Sequence, residues 1–326
     1  MRAVLHRSYG GPEGLQIADI PAPQPGPGEV LVRVRAASIN AADHRILHAD
    51  PFLVRLAAGL LRPRRWPVMG SDFAGVVEAV GAGVTVCKPG DAVMGDVSNR
   101  RGSHAELVVA PEHTISPLAE GASFVEAAAI PLAGVTALQA LRLGARVQPG
   151  ERVLVVGAGG GVGGFLVQLG GALGAQVTAV CGPRSVERVR AEGAHAVIDY
   201  TQEDFADDEV RYDVIFAVHG HRPLSLYKRC LRPGGRLVVV GGDARQIFAG
   251  LLLGWLVFLF SGKRVVPLTI NEQEIKADLQ ILRDLQATGR LRVSVDRTFP
   301  LEQAIDAFRY VGQGHVAGKV VLTVGT

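Results

Sequence analysis

Hydrophobic and polar positions change their rhythm twice along the chain. Up to about residue 120, apolar residues recur at strand spacing, as in Val30-Leu31-Val32-Arg33-Val34, and turn clusters at Pro21 to Gly28 and Lys88-Pro89-Gly90-Asp91 break the runs. This pattern predicts a β-rich region. From about 125 to 266, short apolar runs alternate with stretches of helical spacing. Arg152–Val156, Gln176–Val180, Ala196–Tyr200, Tyr212–Phe216 and Arg236–Val240 read as strands, each near a glycine or polar turn. That alternation predicts a parallel, doubly wound sheet. The tail reads as helices around Glu274 to Thr288 and Leu301 to Val311, then a last strand from Lys319 to Val324.

The first strand of the alternating region carries the strongest chemical signal. Val156 runs into Gly157-Ala158-Gly159-Gly160-Gly161-Val162-Gly163-Gly164, and Phe165, Leu166, Leu169 and Leu173 follow at helical spacing before Gln176–Val180. A strand, a glycine-rich turn and a helix in this order seat a dinucleotide pyrophosphate. Glycine permits the tight turn and close backbone approach, and the helix N-terminus aims unpaired N–H groups at the phosphates. Two glycine registers fit, Gly159, Gly161, Gly164 and Gly157, Gly160, Gly163. The second is favoured because Gly157 ends the strand, which puts the phosphates near Gly160, Gly161 and Val162. Sites for NAD place Asp or Glu at the end of the second strand, against the ribose 2′-hydroxyl. Here that place holds Cys181-Gly182-Pro183-Arg184-Ser185. With no carboxylate to repel it, a 2′-phosphate can be met by Arg184, Ser185 and Arg188, so NADP(H) is the expected cofactor. Glu187 lies deeper in the following helix and reads as a surface residue.

The chain of 326 residues is long enough for two domains with their own cores. Apolar residues make up 48%, charged residues 20%, and the net charge is +3, which suggests a globular protein and no nucleic-acid partner. Arg62, Arg64 and Arg65, like Arg100 and Arg101, form clusters too small for that role and read as solvated loops. Cys87, Cys181 and Cys230 are widely spaced and odd in number, which fits reduced thiols in the cytoplasm. Met1-Arg2-Ala3-Val4-Leu5-His6 leads into a strand rather than a signal-peptide core. The most apolar stretch, Ile247 to Phe260, is short of the roughly twenty residues a spanning helix needs. It reads as a helix buried at a cleft or subunit contact. Weak membrane contact is the alternative, because Lys263 and Arg264 follow.

Further motifs run nearly end to end: Ala37-Ser38-Ile39-Asn40-Ala41-Ala42-Asp43, Gly70-Ser71-Asp72-Phe73-Ala74-Gly75 leading to Val80-Gly81, Lys88 to Asp91, Ala128 to Ala137, and Gly314 to Val321. With the glycine turn they resemble the zinc-free, quinone oxidoreductase-like branch of the medium-chain dehydrogenase/reductase superfamily. The resemblance implies an α/β fold with a GroES-like β-rich catalytic domain (1–124), a Rossmann doubly wound parallel sheet domain (125–266) and a C-terminal segment (267–326) returning to the first. It also implies an active cleft between the domains and a homodimer formed through the sheet edge near Val265 to Thr269. Zinc-dependent members place a Cys ligand where Asn40 stands, and a His where Ser71 precedes Asp72. Many also carry four cysteines around residues 90 to 115, where this chain has none. His44, His48, His104 and His113 are scattered, so no metal is expected.

By this resemblance Asn40 lies near the nicotinamide and the substrate oxygen, Thr136 near the central portion of the cofactor, Tyr200 at the 2′-phosphate, and Gly241 and Lys319 on the nicotinamide side. Asn40 also reads as a turn cap, Tyr200 as a strand-end aromatic, Asp43 as a residue ordering the Asn40 loop, and Asp72 as the holder of the turn before Phe73. His44 is a candidate proton donor. Phe52, Trp66 and the 247–260 segment with Trp255 are candidate pocket residues. Without a metal, an isolated carbonyl is hard to activate, whereas a conjugated acceptor spreads the charge that hydride brings. The expected reaction is NADPH-dependent reduction of a small hydrophobic quinone or α,β-unsaturated carbonyl, the protein supplying orientation and solvent supplying the proton. The absence of tyrosine between residues 40 and 75 argues against a thioester enoyl reductase. A non-enzymatic NADP(H)-binding scaffold and a zinc-free alcohol or ketone oxidoreductase are the alternatives.

Overall fold

The computed structural model describes residues 1–207, 210–220, 222–242, 244–314 and 316–325, so His315 of the Gly314 to Val321 run lies outside it. In chain order the strands are β1 (Arg2–His6), β2 (Leu15–Asp19), β3 (Glu29–Ile39), β4 (Asp72–Val80), β5 (Ala92–Asp96), β6 (Leu107–Pro111), β7 (Ile115–Pro117), β8 (Arg152–Val156), β9 (Gln176–Cys181), β10 (Ala196–Asp199), β11 (Tyr212–Ala217), β12 (Leu231–Val239), β13 (Arg264–Pro267), β14 (Val295–Pro300) and β15 (Lys319–Thr323). They fall into two units, Met1–Val135 with Glu272–Thr326, and Thr136–Asn271.

These divisions come later than the expected 124/125 and 266/267, and local contacts explain why. The helix Pro131–Gln139 starts inside the first unit, where the Leu132 N–H donates to Asp72 at 2.8 Å and a Cβ on Gly134 would meet Leu282 at 2.9 Å. Its last residue belongs to the second unit. Gln139 exchanges side-chain bonds with the backbone of Asn271, receiving at 2.7 Å and donating at 3.1 Å.

In the first unit β3 is the spine. It pairs antiparallel with β15, β4 and β6, and the sheet order is β14-β15-β3-β4-β5-β7. Val30, Val32, Val34, Ala37 and Ile39 of β3 enter one core with Phe73, Val77, Val320, Leu322 and Phe308. Phe308 comes from the tail helix Ala304–Gly312, whose Ala304, Ala307 and Phe308 share one buried face at helical spacing while Asp306 and Arg309 pair outside. The C-terminal segment is therefore part of this core.

The second unit is a six-stranded, wholly parallel sheet in the order β10-β9-β8-β11-β12-β13. Its inner strands are nearly continuous apolar runs, with Val153 to Val155 and Val214 to Ala217 fully buried, as expected of a sheet covered on both faces. β13 is an edge strand, and β8 and β11 flank the point where strand order reverses. Ligands bind such sheets at that reversal, beyond the carboxyl ends of the strands.

The apolar stretch from Ile247 to Phe260, read as one helix buried at a cleft or subunit contact, is not one continuous helix. It is a broken helix, Ala244–Phe248, a wide turn Ala249–Leu253 and Gly254–Phe258. Gly250, Gly254 and Phe258 take the inner side, against Val239, Val265 and the core, while Leu253, Trp255, Leu256, Leu259 and Phe260 are exposed. The side chains of Ile247, Leu251 and Leu252 lie outside the described set. No helix among the described residues is long and apolar enough to cross a membrane.

Phe308→Ala should remove about 3–5 kcal/mol from the unit containing the tail, by lost burial plus an unfilled cavity. Urea denaturation followed by a probe in that unit measures it.

Candidate functional site

The glycine turn is held by steric exclusions that only glycine satisfies. Gly157 leaves β8 at φ 96°, and a Cβ on it would come within 2.7 Å of the His219 Cβ at the end of β11. A Cβ on Gly163 would lie 2.2 Å from the Gly157 carbonyl oxygen, so the helix Gly161–Ala172 packs on the strand end only because Gly163 has none. Around Gly160 a Cβ would meet nothing nearer than 3.9 Å. That open space at the helix N-terminus, lined by backbone, is what an approaching pyrophosphate requires. The register Gly157, Gly160, Gly163 thus fits the role of each position, and Gly161 and Val162 open the helix. Gly241 packs its backbone on the Val218 carbonyl, which puts it at the same end of the sheet. Thr136 is half-buried in the helix Pro131–Gln139.

Beyond β9, Gly182 carries the Tyr200 ring over it, a Cβ there lying 2.9 Å from the phenol oxygen. Ser185 is buried beside Gly159, Arg184 and Tyr200 are exposed, and no carboxylate lies between Cys181 and Val186. Arg188 does not join them. Its guanidinium donates to the Gly159 carbonyl at 2.8 Å and to Glu192 at 2.5 Å, so it braces the turn from behind. Glu187 is a surface residue, paired with Arg190.

In the first unit a buried polar network forms where β3 ends. β15 lies antiparallel to β3 with Val320 opposite Ile39, which brings Lys319 beside Asn40 although they are far apart in sequence. The Lys319 Nζ donates to Asn40 Oδ1 at 2.5 Å and lies 3.4 Å from Asp72 Oδ2. Lysine can only donate, so it fixes the Asn40 amide with its nitrogen toward Asp72, at 2.9 Å. Ser38 Oγ donates to the same carboxylate oxygen at 2.7 Å, and the Leu132 N–H takes the other. Asp72 is fully buried, with every acceptor engaged. Asn40 also starts the helix Ala41–His48, where Asp43 Oδ2 accepts its backbone N–H at 2.8 Å, and Arg101 pairs with Asp43 Oδ1 while donating to Ser71 Oγ at 2.6 Å. Among the described residues these bonds leave one Asn40 amide hydrogen and one Lys319 ammonium hydrogen unspent, on residues that are 7% and 5% exposed.

Asp72 and Arg101 exceed their sequence readings. Asp72 is the hub of the network rather than a holder of one turn, and Arg101, read as part of a solvated loop, is 8% exposed and ion-paired. His44 is not brought to the network. It stacks on His48 at 4.1 Å and its Nε2 faces the backbone of Gly312. Burial, then the His48 charge, holds its pKa below the ordinary value, which suits a proton donor poorly. Trp66 lies against Arg101 at 5.8 Å, Phe52 is exposed on the neighbouring loop, and Trp255 is exposed on the other unit. Among the described residues no three His, Cys, Asp or Glu side chains converge as metal ligands would.

Residues 26–120 match the alcohol dehydrogenase GroES-like domain family and residues 192–322 the zinc-binding dehydrogenase family. The chain is 32% identical over 338 residues to the chloroplast envelope quinone oxidoreductase homolog of Arabidopsis thaliana, covering 99% of this chain and 98% of that one. The solved quinone oxidoreductase from Coxiella burnetii superposes with a TM-score of 0.87 at 29% identity, over 100% of this chain and 99% of that one. A solved NAD-dependent alcohol dehydrogenase gives 0.82 at 31%, over 100% of both.

The chain belongs to the quinone oxidoreductase-like branch of the medium-chain dehydrogenase/reductase superfamily. It is an oxidoreductase of a group that uses a nicotinamide dinucleotide, with a GroES-like unit and a Rossmann-like unit.

Sequence reasoning missed His219 and the extent of the Asp72 network. His219 was findable, since it follows the strand across the reversal of order from the glycine turn. The network was not, because its members meet only through strand pairing. One further neighbour, Asp96, stands opposite Asp72 in the β4–β5 register. Burial first, then the Asp72 charge, raises its pKa to about 7.

Two outcomes follow. Gly160→Ala should fold normally yet lose dinucleotide affinity, whereas Gly163→Ala should cost about 1–3 kcal/mol of stability through overpacking; titration of cofactor fluorescence and thermal melts separate the two. For Asp96 the fold favours the protonated acid, so ionisation costs stability as pH rises from its unfolded pKa through about 7. Asp96→Asn should therefore gain melting temperature over the parent at pH 8.5 and lose that gain at pH 4, read from paired melts across the range.

Proposed function

We propose that this oxidoreductase reduces a quinone or an α,β-unsaturated carbonyl with NADPH and without a metal. The observation that carries the reading is the Asp72–Lys319–Asn40 network, in which a buried carboxylate holds an amide and an ammonium with one unspent hydrogen each. Bound NADPH supplies the hydride. As it reaches the conjugated acceptor, negative charge gathers on the acceptor oxygen, and the Asn40 and Lys319 hydrogens offer a preorganised place for it. Asp72 keeps both donors in position, and the proton that completes the product comes from solvent. Where zinc-dependent relatives use a metal to take up this charge, the chain has Asn40 and Ser71, and the positive charge of the network is that of Lys319.

The preference for NADPH rests on the carboxylate-free end of β9 with Arg184, Ser185 and Tyr200 around it. We propose further that the protein works as a homodimer through β13 in the cytoplasm. A second reading, oxidoreduction of an isolated alcohol or ketone, draws on the likeness to the NAD-dependent alcohol dehydrogenase.

Asn40→Ala should lower kcat with naphthoquinone by about 10²-fold, the effect of removing one donor to a developing oxyanion, while leaving NADPH affinity unchanged. An unchanged kcat would sink the proposed role of the network. Arg184→Glu should weaken NADPH at least about tenfold and spare NADH, because it sets a carboxylate against the 2′-phosphate; equal effects on both cofactors would contradict the assignment.

A further inference from the structure

The loop from Pro51 to Trp66 turns apolar and basic side chains outward together. Phe52, Leu53, Leu56, Leu60 and Leu61 are exposed, Leu61 to 85%, and the exposed Arg62, Arg64 and Arg65 follow them directly. No Asp or Glu occurs between Pro51 and Ser71 to neutralise those arginines.

The leucines face out because the loop is held from beneath. Tyr9 Oη donates to the Gly59 carbonyl at 2.7 Å, and the Arg55 guanidinium sits over the Tyr9 ring at 4.8 Å and the Phe52 ring at 5.3 Å. Ala58 is fully buried, and its carbonyl accepts the Arg65 N–H at 3.0 Å. Gly59 turns at φ 130° so closely that a Cβ would lie 2.2 Å from the Arg62 carbonyl oxygen. With its interior fixed in this way, the loop has no room to fold its leucines inward. Five large apolar side chains exposed within ten residues are more than the singly scattered apolar residues of an ordinary surface, and such a concentration points to an interaction surface.

We infer that the Pro51–Trp66 loop docks this protein on an anionic lipid surface. Phe52, Leu53, Leu56, Leu60 and Leu61 enter the boundary between headgroups and acyl chains, and Arg62, Arg64 and Arg65 meet the lipid phosphates. Charge selects this occupant. A second copy docked symmetrically through the same patch would set the uncompensated arginines against their own images. A lipid phosphate supplies the missing negative charge. The patch also borders the donor network within its own unit, since Trp66 lies against Arg101, which pairs with Asp43 beneath Asn40. Under the reaction proposed above, docking there delivers apolar acceptors from the bilayer; the docking itself stands without that reading.

Co-sedimentation of the full chain with phosphatidylcholine vesicles, with and without about a third phosphatidylglycerol, tests this. The variants are Leu60→Ser with Leu61→Ser, Arg62→Gln with Arg64→Gln and Arg65→Gln, and, as a control on the other exposed apolar patch, Trp255→Ser with Phe260→Ser. The parent should pellet with anionic vesicles and be released by salt. Both loop variants should bind at least about tenfold more weakly with unchanged melting temperature, and the control should bind as the parent does. No pelleting with anionic vesicles, or loss of binding only in the control, would overturn the inference. So would loop variants that keep vesicle binding but alter self-association in sedimentation velocity, which would assign the patch to a protein contact.

Discussion

A carboxylate with no access to water must be paired, and Asp72 meets that demand with donors from separate parts of the chain. Ser38 and Asn40 come from the end of β3, Lys319 from the start of β15, and the Leu132 N–H from the first turn of the helix Pro131–Gln139. One charge therefore ties together the spine of the first unit, its returning tail and the first turn of the helix Pro131–Gln139. Asn40 is held twice, its side chain by Asp72 and its backbone by Asp43, which Arg101 in turn neutralises. A residue fixed from both sides keeps its remaining hydrogen in one place, and that is the condition for stabilising charge that develops only during reaction.

The second unit reaches the same end through shape. Its glycines are spaced by what they exclude: His219 behind Gly157, Ser185 behind Gly159 and the Gly157 carbonyl behind Gly163. Gly160 alone in this series faces open space. The turn is consequently closed where it meets protein and open at the start of the helix Gly161–Ala172. Arg188 braces it by holding the Gly159 carbonyl.

Features whose causes are local were readable in the sequence. The strands follow from apolar runs, and the dinucleotide turn from glycines at a strand end followed by a helical pattern. The favoured register came from Gly157 alone. What escaped reading depends on partners far along the chain. Arg101 sits between Asn99-Arg100 and Gly102, a surface-like context, and only the fold brings it to Asp43. Arg188 looked like a phosphate ligand because its helix starts near the end of β9, yet its side chain turns back to Gly159. His44 lies one helical turn from Asn40 and still faces away, toward His48 and Gly312. The break in the stretch from Ile247 to Phe260 was hidden for another reason. Overall apolarity does not say which face packs, and here small residues and Phe258 took the inner side.

The central claim is that Asn40 and Lys319, ordered by Asp72, suffice to hold the charge that builds on a conjugated acceptor as NADPH gives it hydride, without a metal. The most direct measurement is the rate of NADPH oxidation by chelator-treated protein against naphthoquinone, an enone and a saturated ketone, with and without added zinc. The account predicts turnover of the quinone or the enone, no turnover of the ketone, and no change on adding zinc. Turnover restricted to the ketone, or dependent on zinc, would contradict it.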